Sequence, residues 1–347
     1  MIDWELAERL AVRVAGEGNA TRLPGDLQAI CADGADRVIS YARLDPGTTL
    51  APPESVTRAE WISANLVSMQ SMLDPVADQI ADRTKTSSTN PMRLAGEVVI
   101  TAEAGAVTGY LGKRVLGQYV LSLLDAEEPP RLLFVEPNIS GAAVSLGADP
   151  TELLRWIAFH ETTHAVQFTA VPWLREHLGG MLTQLMGVLE TEFKLSSLLR
   201  LPTTDDVRGA VDRLRSGSLV GLVAGAEQRA ILDSVQSTMA LIEGHAEHVM
   251  DAAGVDALPS LPKLRASLER RRADRPPVMR VLERLLGMEL KMKQYAVGKK
   301  FCDAVVAQVG IDGLNRAWAD PASLPTLAEL DRPGDWIARV APRGLAA

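Results

Sequence analysis

The sequence predicts an α+β fold, predominantly α-helical, with a small sheet. Apolar residues recur at three- and four-residue intervals through most of the 347 residues, the rhythm of helices that bury one face. One short apolar run, "RLLFVEPNI", is closed by Pro137 and Asn138 and reads as a buried strand. Between two helical regions, "GEVVITAEAGAVTGYLGKRVLGQYV" breaks the rhythm with closely spaced glycines.

In chain order, the periodicity predicts helices over 4–16, 26–43 and 58–83. The Pro, Gly and Thr content of "LDPGTTLAPPESVTRAEW" marks a connector, with Ser55 or Thr57 as cap of the helix after it. "STNPMRLAG", 88–96, is a further loop, so residues 1–90 form an N-terminal helical layer and 91–347 the rest. The segment "GADPTELLRWIAFHETTHAVQFTAVP" carries the signals of one helix: Asp149 as cap, Pro150 first, Glu152 three residues after the cap, Pro172 beyond the end. A second long helix, "RAILDSVQSTMALIEGHAEHVMDAAG", ends at Gly254.

Bulk properties narrow the function. Apolar residues make up 47% and charged residues 23%, as in a soluble globular protein. The N-terminus lacks a secretory pattern and no apolar window is long enough for a membrane span. Cys31 and Cys302, far apart in sequence, fit reduced thiols of a cytoplasmic protein. A net charge of −8 opposes general nucleic-acid binding. The partner expected is therefore a peptide or small-molecule substrate, with no nucleic acid and no membrane; the oligomeric state is unknown.

His160-Glu161-Thr162-Thr163-His164 falls in the middle of its helix. Four residues turn about 400°, so His160 and His164 project from one face and can grip a single ion. Glu161, about 100° round from His160, stands beside them as a base for water without being a ligand. Two histidines and a glutamate among Trp156, Ile157, Phe159, Val166 and Phe168 cost several kcal/mol to bury unless something pairs with them.

A catalytic zinc site takes a third protein ligand and keeps a fourth position open. A metzincin pattern would need glycine at position 167 and histidine at 170, where the chain has Gln167 and Ala170. In "LIEGHAEHVMD", Glu243, Glu247 and Asp251 form one acidic helical stripe, while His245 and His248 point elsewhere. Glu243 is the preferred ligand, ahead of Glu247 or some other group, because Gly244 beside it leaves room for a close helix approach. Glu247, one turn on, could then orient a metal-bound imidazole.

These residues resemble the gluzincin branch of the zincin metallopeptidases, in which HExxH is completed by the first glutamate of an EGxAE-type stretch. The resemblance implies that Glu243 is the third ligand of one zinc ion per chain and Glu247 the acid one turn later. More narrowly, "EPNI", "LRWIAFHETTHAVQF", "EGHAEHVMD" and "MKQYAVGKKF" resemble an actinobacterial zincin-like family over roughly residues 60–340. Its members carry labels of hydrolase or of association with biosynthesis of a deazaflavin coenzyme. The stretch from His164 to Glu243 is long for the branch, which implies a helical insertion at about 173–230 within a zincin-like catalytic domain. The expected activity is zinc-dependent hydrolysis, foremost of peptide bonds, with a non-peptide metabolite hydrolase or a catalytically silent zinc scaffold as alternatives. Tyr295 in "KMKQYAVGKKF" is placed like an oxyanion-stabilising residue of gluzincins, the alternative being a tyrosine packed on the core. His245 is a second candidate for that role or a buried neighbour of the ligands; Asp251 is expected only as such a neighbour. Asn138 is either a substrate contact after the strand or a turn residue.

Overall fold

The structure, a computed structural model, describes residues 2–18, 22–84, 91–125, 127–192, 226–260, 262–267 and 288–340, with side chains described except at 75–84, 91–96, 186–192, 226–228 and 288–296. The chain divides into two compact units, one of residues 1–172 and 249–271, the other of 173–248 and 272–347.

The first unit opens with α1 (Trp4–Ala15) and α2 (Leu27–Ala42), capped by Asp3 and Asp26, whose carboxylates accept backbone N–H groups of the first turn. Strand β1 (Pro53–Val56) follows, then α3 (Arg58–Thr84), α4 (Pro91–Gly112), β2 (Gly117–Val120), β3 (Arg131–Val135), α5 (Glu136–Leu146) and α6 (Pro150–Ala170). Of the two proposed caps of α3, Thr57 serves: its N–H donates to Glu60 Oε2 at 2.7 Å and its hydroxyl accepts from Glu60 N at 3.2 Å. Two loop expectations are corrected. Residues 53–56 form a strand, because pairing with β3 supplies the order that Pro53 and Glu54 do not announce. Residues 91–96 are the first turns of α4, where Pro91 fits the initial helical position.

The sheet has the order β1-β3-β2, with β1 parallel and β2 antiparallel to the central strand. The buried run that reads as a strand in sequence is this central β3. Its Leu132 and Phe134 pack with Ile30, Leu153, Leu154 and Ile157, while Leu133 and Val135 face Ala11, Ala15, Trp61 and Ile62. Alternation through one strand thus joins two helical layers, each such side chain contributing roughly 1.5–3 kcal/mol by leaving water. At the rim, Arg131 grips Glu54 with two hydrogen bonds of 2.9 and 2.6 Å, which hold the Glu54 carboxyl below its ordinary range.

The second unit contains α7 (Pro172–Glu192) from Trp173 on, residues 226–248 of α8 (Ala226–Gly254), α9 (Met288–Leu314), α10 (Leu327–Asp331) and α11 (Pro333–Val340). Helix α9 bends at Gly310, whose φ of 73° suits glycine. Trp336 of α11 is fully buried edge-to-face on Phe301, and its indole N–H donates to Ser323 O at 2.9 Å. Of the insertion expected at 173–230, residues 193–225 lie outside the described residues, and so does a short basic run, "RRRADRPP" at 270–277, whose sequence reads as a solvated helix end stopped by two prolines.

Candidate metal centre

Helix α6 begins as its sequence indicates, with Asp149 accepting the Glu152 N–H at 2.9 Å and Pro150 in the first turn. The two imidazoles stand 4.7 Å apart, edge to face, with their Nε2 atoms separated by 3.2 Å. His164 Nδ1 lies 2.9 Å from the amide oxygen of Gln167, and the His160 ring stacks on Trp156 at 6.5 Å. Between the histidines, Thr162 and Thr163 return their hydroxyls to the helix, onto Ala158 O and, at 2.7 Å, Phe159 O.

Glu161 is buried at 8% exposure, and its Oε2 accepts the Tyr119 N–H at 3.0 Å. The pairing of β2 explains this. Val135 N donates to Leu116 O, so Gln118 and Val120 share the hydrogen-bonded positions with β3 and the Tyr119 N–H points off the free edge. Gly117 lets α6 approach: a Cβ there would sit 2.8 Å from Glu161 Cγ and 2.9 Å from Ile157 Cγ2. Burial, followed by the negative charge of Glu161, pushes the Cys31 thiol up to about 12. Cys31 is therefore a core thiol, as is the buried Cys302.

Helix α8 carries the acidic stretch. Its last turns pack on α6, Val249 sharing a cluster with Val166 and Met250 with Phe159. Two turns earlier on the same helix lies Glu243. Among the described residues, one group of three could hold a metal: His160, His164 and Glu243, all half-buried, with ligand atoms within 4.8 Å of one another. The donor set fits zinc. Two nitrogens on one tetrahedral zinc, each bonded at 2.0–2.1 Å, stand about 3.3 Å apart, close to the imidazole separation here.

The other expected residues separate. Glu247 is half-buried one turn after Glu243. His245 is fully buried against the Trp318 ring at 5.3 Å. Asp251 pairs with Arg265. Gly244 does make room for a helix, and in the second unit that helix is α9: a Cβ on Gly244 would fall 2.1 Å from Gly298 C. Tyr295 lies on α9 three residues before Gly298, its side chain outside the described residues. Asn138 is corrected as a substrate contact. It is buried in α5, its Oδ1 accepts from Arg58 Nε at 2.7 Å, and its amide N–H groups donate to Gly112 O and Val115 O, both at 2.7 Å. An amide so engaged ties three segments together and has no hydrogen left to offer.

Sequence reasoning missed Gln167, Tyr119 and Gly117. Gln167 was findable, since a residue three positions after a candidate ligand shares its helix face. Tyr119 acts through its main chain, which no residue type announces.

A family profile described as zincin-like metallopeptidase matches residues 2–337. Among solved structures, the chain is similar to that of a presumed hydrolase with a novel fold from Chloroflexus aurantiacus, at 31% identity and a TM-score of 0.71, covering 99% of this chain and 100% of that one. No curated protein matches it. Matched over nearly its whole length, with two helices offering the histidines and the glutamate, the chain belongs to the zincin-like metallopeptidase family.

Proposed function

We propose that this zinc hydrolase is a peptidase, with His160, His164 and Glu243 holding one zinc ion per chain and Glu161 serving as base. The carrying observation is the anchored carboxylate of Glu161, next in sequence to a ligand histidine and held through one oxygen by the Tyr119 N–H. A purely structural site needs no such base, and a ligand set of two histidines and a glutamate leaves a position open for chemistry. Bound zinc supplies Lewis acidity to the attacking water and to the substrate carbonyl.

Glu161 takes the proton of the attacking water and hands it to the leaving amine, giving a carboxylate and an amine. Glu247 supports a ligand imidazole, and Tyr295 supports the oxyanion. The presumed hydrolase activity of the Chloroflexus protein supports the same class. Two buried free cysteines, and the lack among the described residues of any helix long and apolar enough to cross a membrane, support a cytoplasmic setting.

The test measures zinc per chain and hydrolysis of a peptide library. Glu161→Gln is expected to keep zinc and lose turnover, and Glu243→Ala to lose both. Full zinc occupancy without turnover of any peptide, against turnover of a small non-peptide amide or ester, would move the substrate to the metabolite class.

A further inference from the structure

We propose that Gln167 is the positioning residue of His164, fixing which ring nitrogen carries the proton and hence which is offered to the ion; this rests on the metal-binding reading above. Gln167 is buried at 0% exposure on α6, three residues past His164, so the two side chains share a helix face. Its Oε1 stands 2.9 Å from His164 Nδ1. An amide oxygen accepts, so Nδ1 carries the hydrogen and donates it. A neutral imidazole has a single N–H, which leaves Nε2 with its lone pair. That is the atom 3.2 Å from His160 Nε2, where one ion would be shared.

His160 is held differently. Its ring lies nearly parallel to the Trp156 ring, at 16° and 6.5 Å. Stacking fixes the plane of a ring, whereas the hydrogen bond of Gln167 also fixes which nitrogen of His164 carries the proton. Burial strengthens it, since an amide with no exposure cannot exchange its partner for water without moving the helix. Without the acceptor, the proton can occupy Nε2 and block the ligand atom. Loss of such a partner typically weakens metal binding about 10–100-fold.

The full chain, labelled with 15N-histidine and stripped of metal, reports the proton directly, the His164 signals being those missing from His164→Ala. Wild type is expected to show protonated Nδ1 and bare Nε2, and to bind one Zn2+ against a competing chelator. Gln167→Met, of similar volume and without an acceptor, is expected to mix the two tautomers and bind Zn2+ about 10–100-fold more weakly. Gln167→Glu keeps an acceptor oxygen and is expected to restore both, with affinity equal to wild type or tighter. An unchanged tautomer and unchanged affinity in Gln167→Met overturn the proposal while the metal site stands. Zinc binding that is absent in wild type, or undiminished in His164→Ala, overturns the metal reading instead, and the tautomer of the metal-free chain still decides the role of Gln167. Should Gln167→Met fail to fold, Gln167→Asn replaces it: one methylene shorter, it is expected to release Nδ1, and wild-type affinity there counts against the proposal.

Discussion

Helix α6 meets its neighbours through side chains, with Leu153, Leu154, Ile157 and Phe159 all at 2% exposure or less, whereas α8 meets α9 where neither helix has one. At that crossing Gly244 rests on Gly298, and a Cβ on Gly298 would fall 1.8 Å from Ala240 O. The first kind of contact can adjust by rotamer changes; the second has only backbone to move. The helix carrying His160, Glu161 and His164 is thus cushioned, and the helix carrying Glu243 is fixed by main-chain contact.

The sharpest way to separate chemistry from packing is Glu161→Gln. Its amide oxygen still accepts the Tyr119 N–H, so the melting temperature is expected to hold while kcat falls about 10²- to 10⁴-fold. A matching fall in stability would mean that the carboxylate charge holds α6 in place, and the contrast would break. Next in size is Gly298→Ala, expected to cost about 3 kcal/mol in urea unfolding because α8 and α9 must part. Gly117→Ala presses on the side chains of Glu161 and Ile157, not on backbone, and is expected to cost about 1 kcal/mol. Its turnover should fall by more than that loss of stability explains, since the displaced side chain is the proposed base. If both glycine variants unfold at the same urea concentration, the distinction between the two contacts fails.

The smallest effect belongs to Asp303 on α9, which receives hydrogen bonds from His248 Nδ1 and Lys299 Nζ, both at 2.7 Å. Burial raises the Asp303 carboxyl, but the hydrogen bonds from Lys299 and His248 outweigh it and leave the group below its ordinary range. A depressed carboxyl stabilises above its unfolded value, near pH 4, and that stability is lost as pH falls through the lower folded value. Asp303→Asn is therefore expected to flatten the acid limb of the stability profile below about pH 4 by less than 1 kcal/mol, the pair being half-exposed.

The long elements were legible because their signals are local. Asp149, Pro150 and Glu152 start α6 where the cap pattern puts them, and helices expected at 4–16, 26–43 and 58–83 appear as Trp4–Ala15, Leu27–Ala42 and Arg58–Thr84. The pair His160 and His164 followed from helical spacing, and Glu243 from a helical wheel with the resemblance beside it. What stayed hidden depends on distant partners. β1 exists by its register with β3, and Asn138 looked free because Arg58, Gly112 and Val115 are remote in sequence. Gly244 announced a close approach without saying to which helix.

The grip of the Tyr119 N–H on Glu161 shifts the burden from residue identity to counting. Every residue but proline carries that N–H, so many side chains at position 119 can leave the carboxylate where it is. A single residue inserted or deleted just before β2 is a different matter, because it moves Gly117 from its place and brings a side chain against Glu161 and Ile157. The proposed catalytic machinery should thus tolerate substitution at position 119 and fail on frameshifts of this ladder.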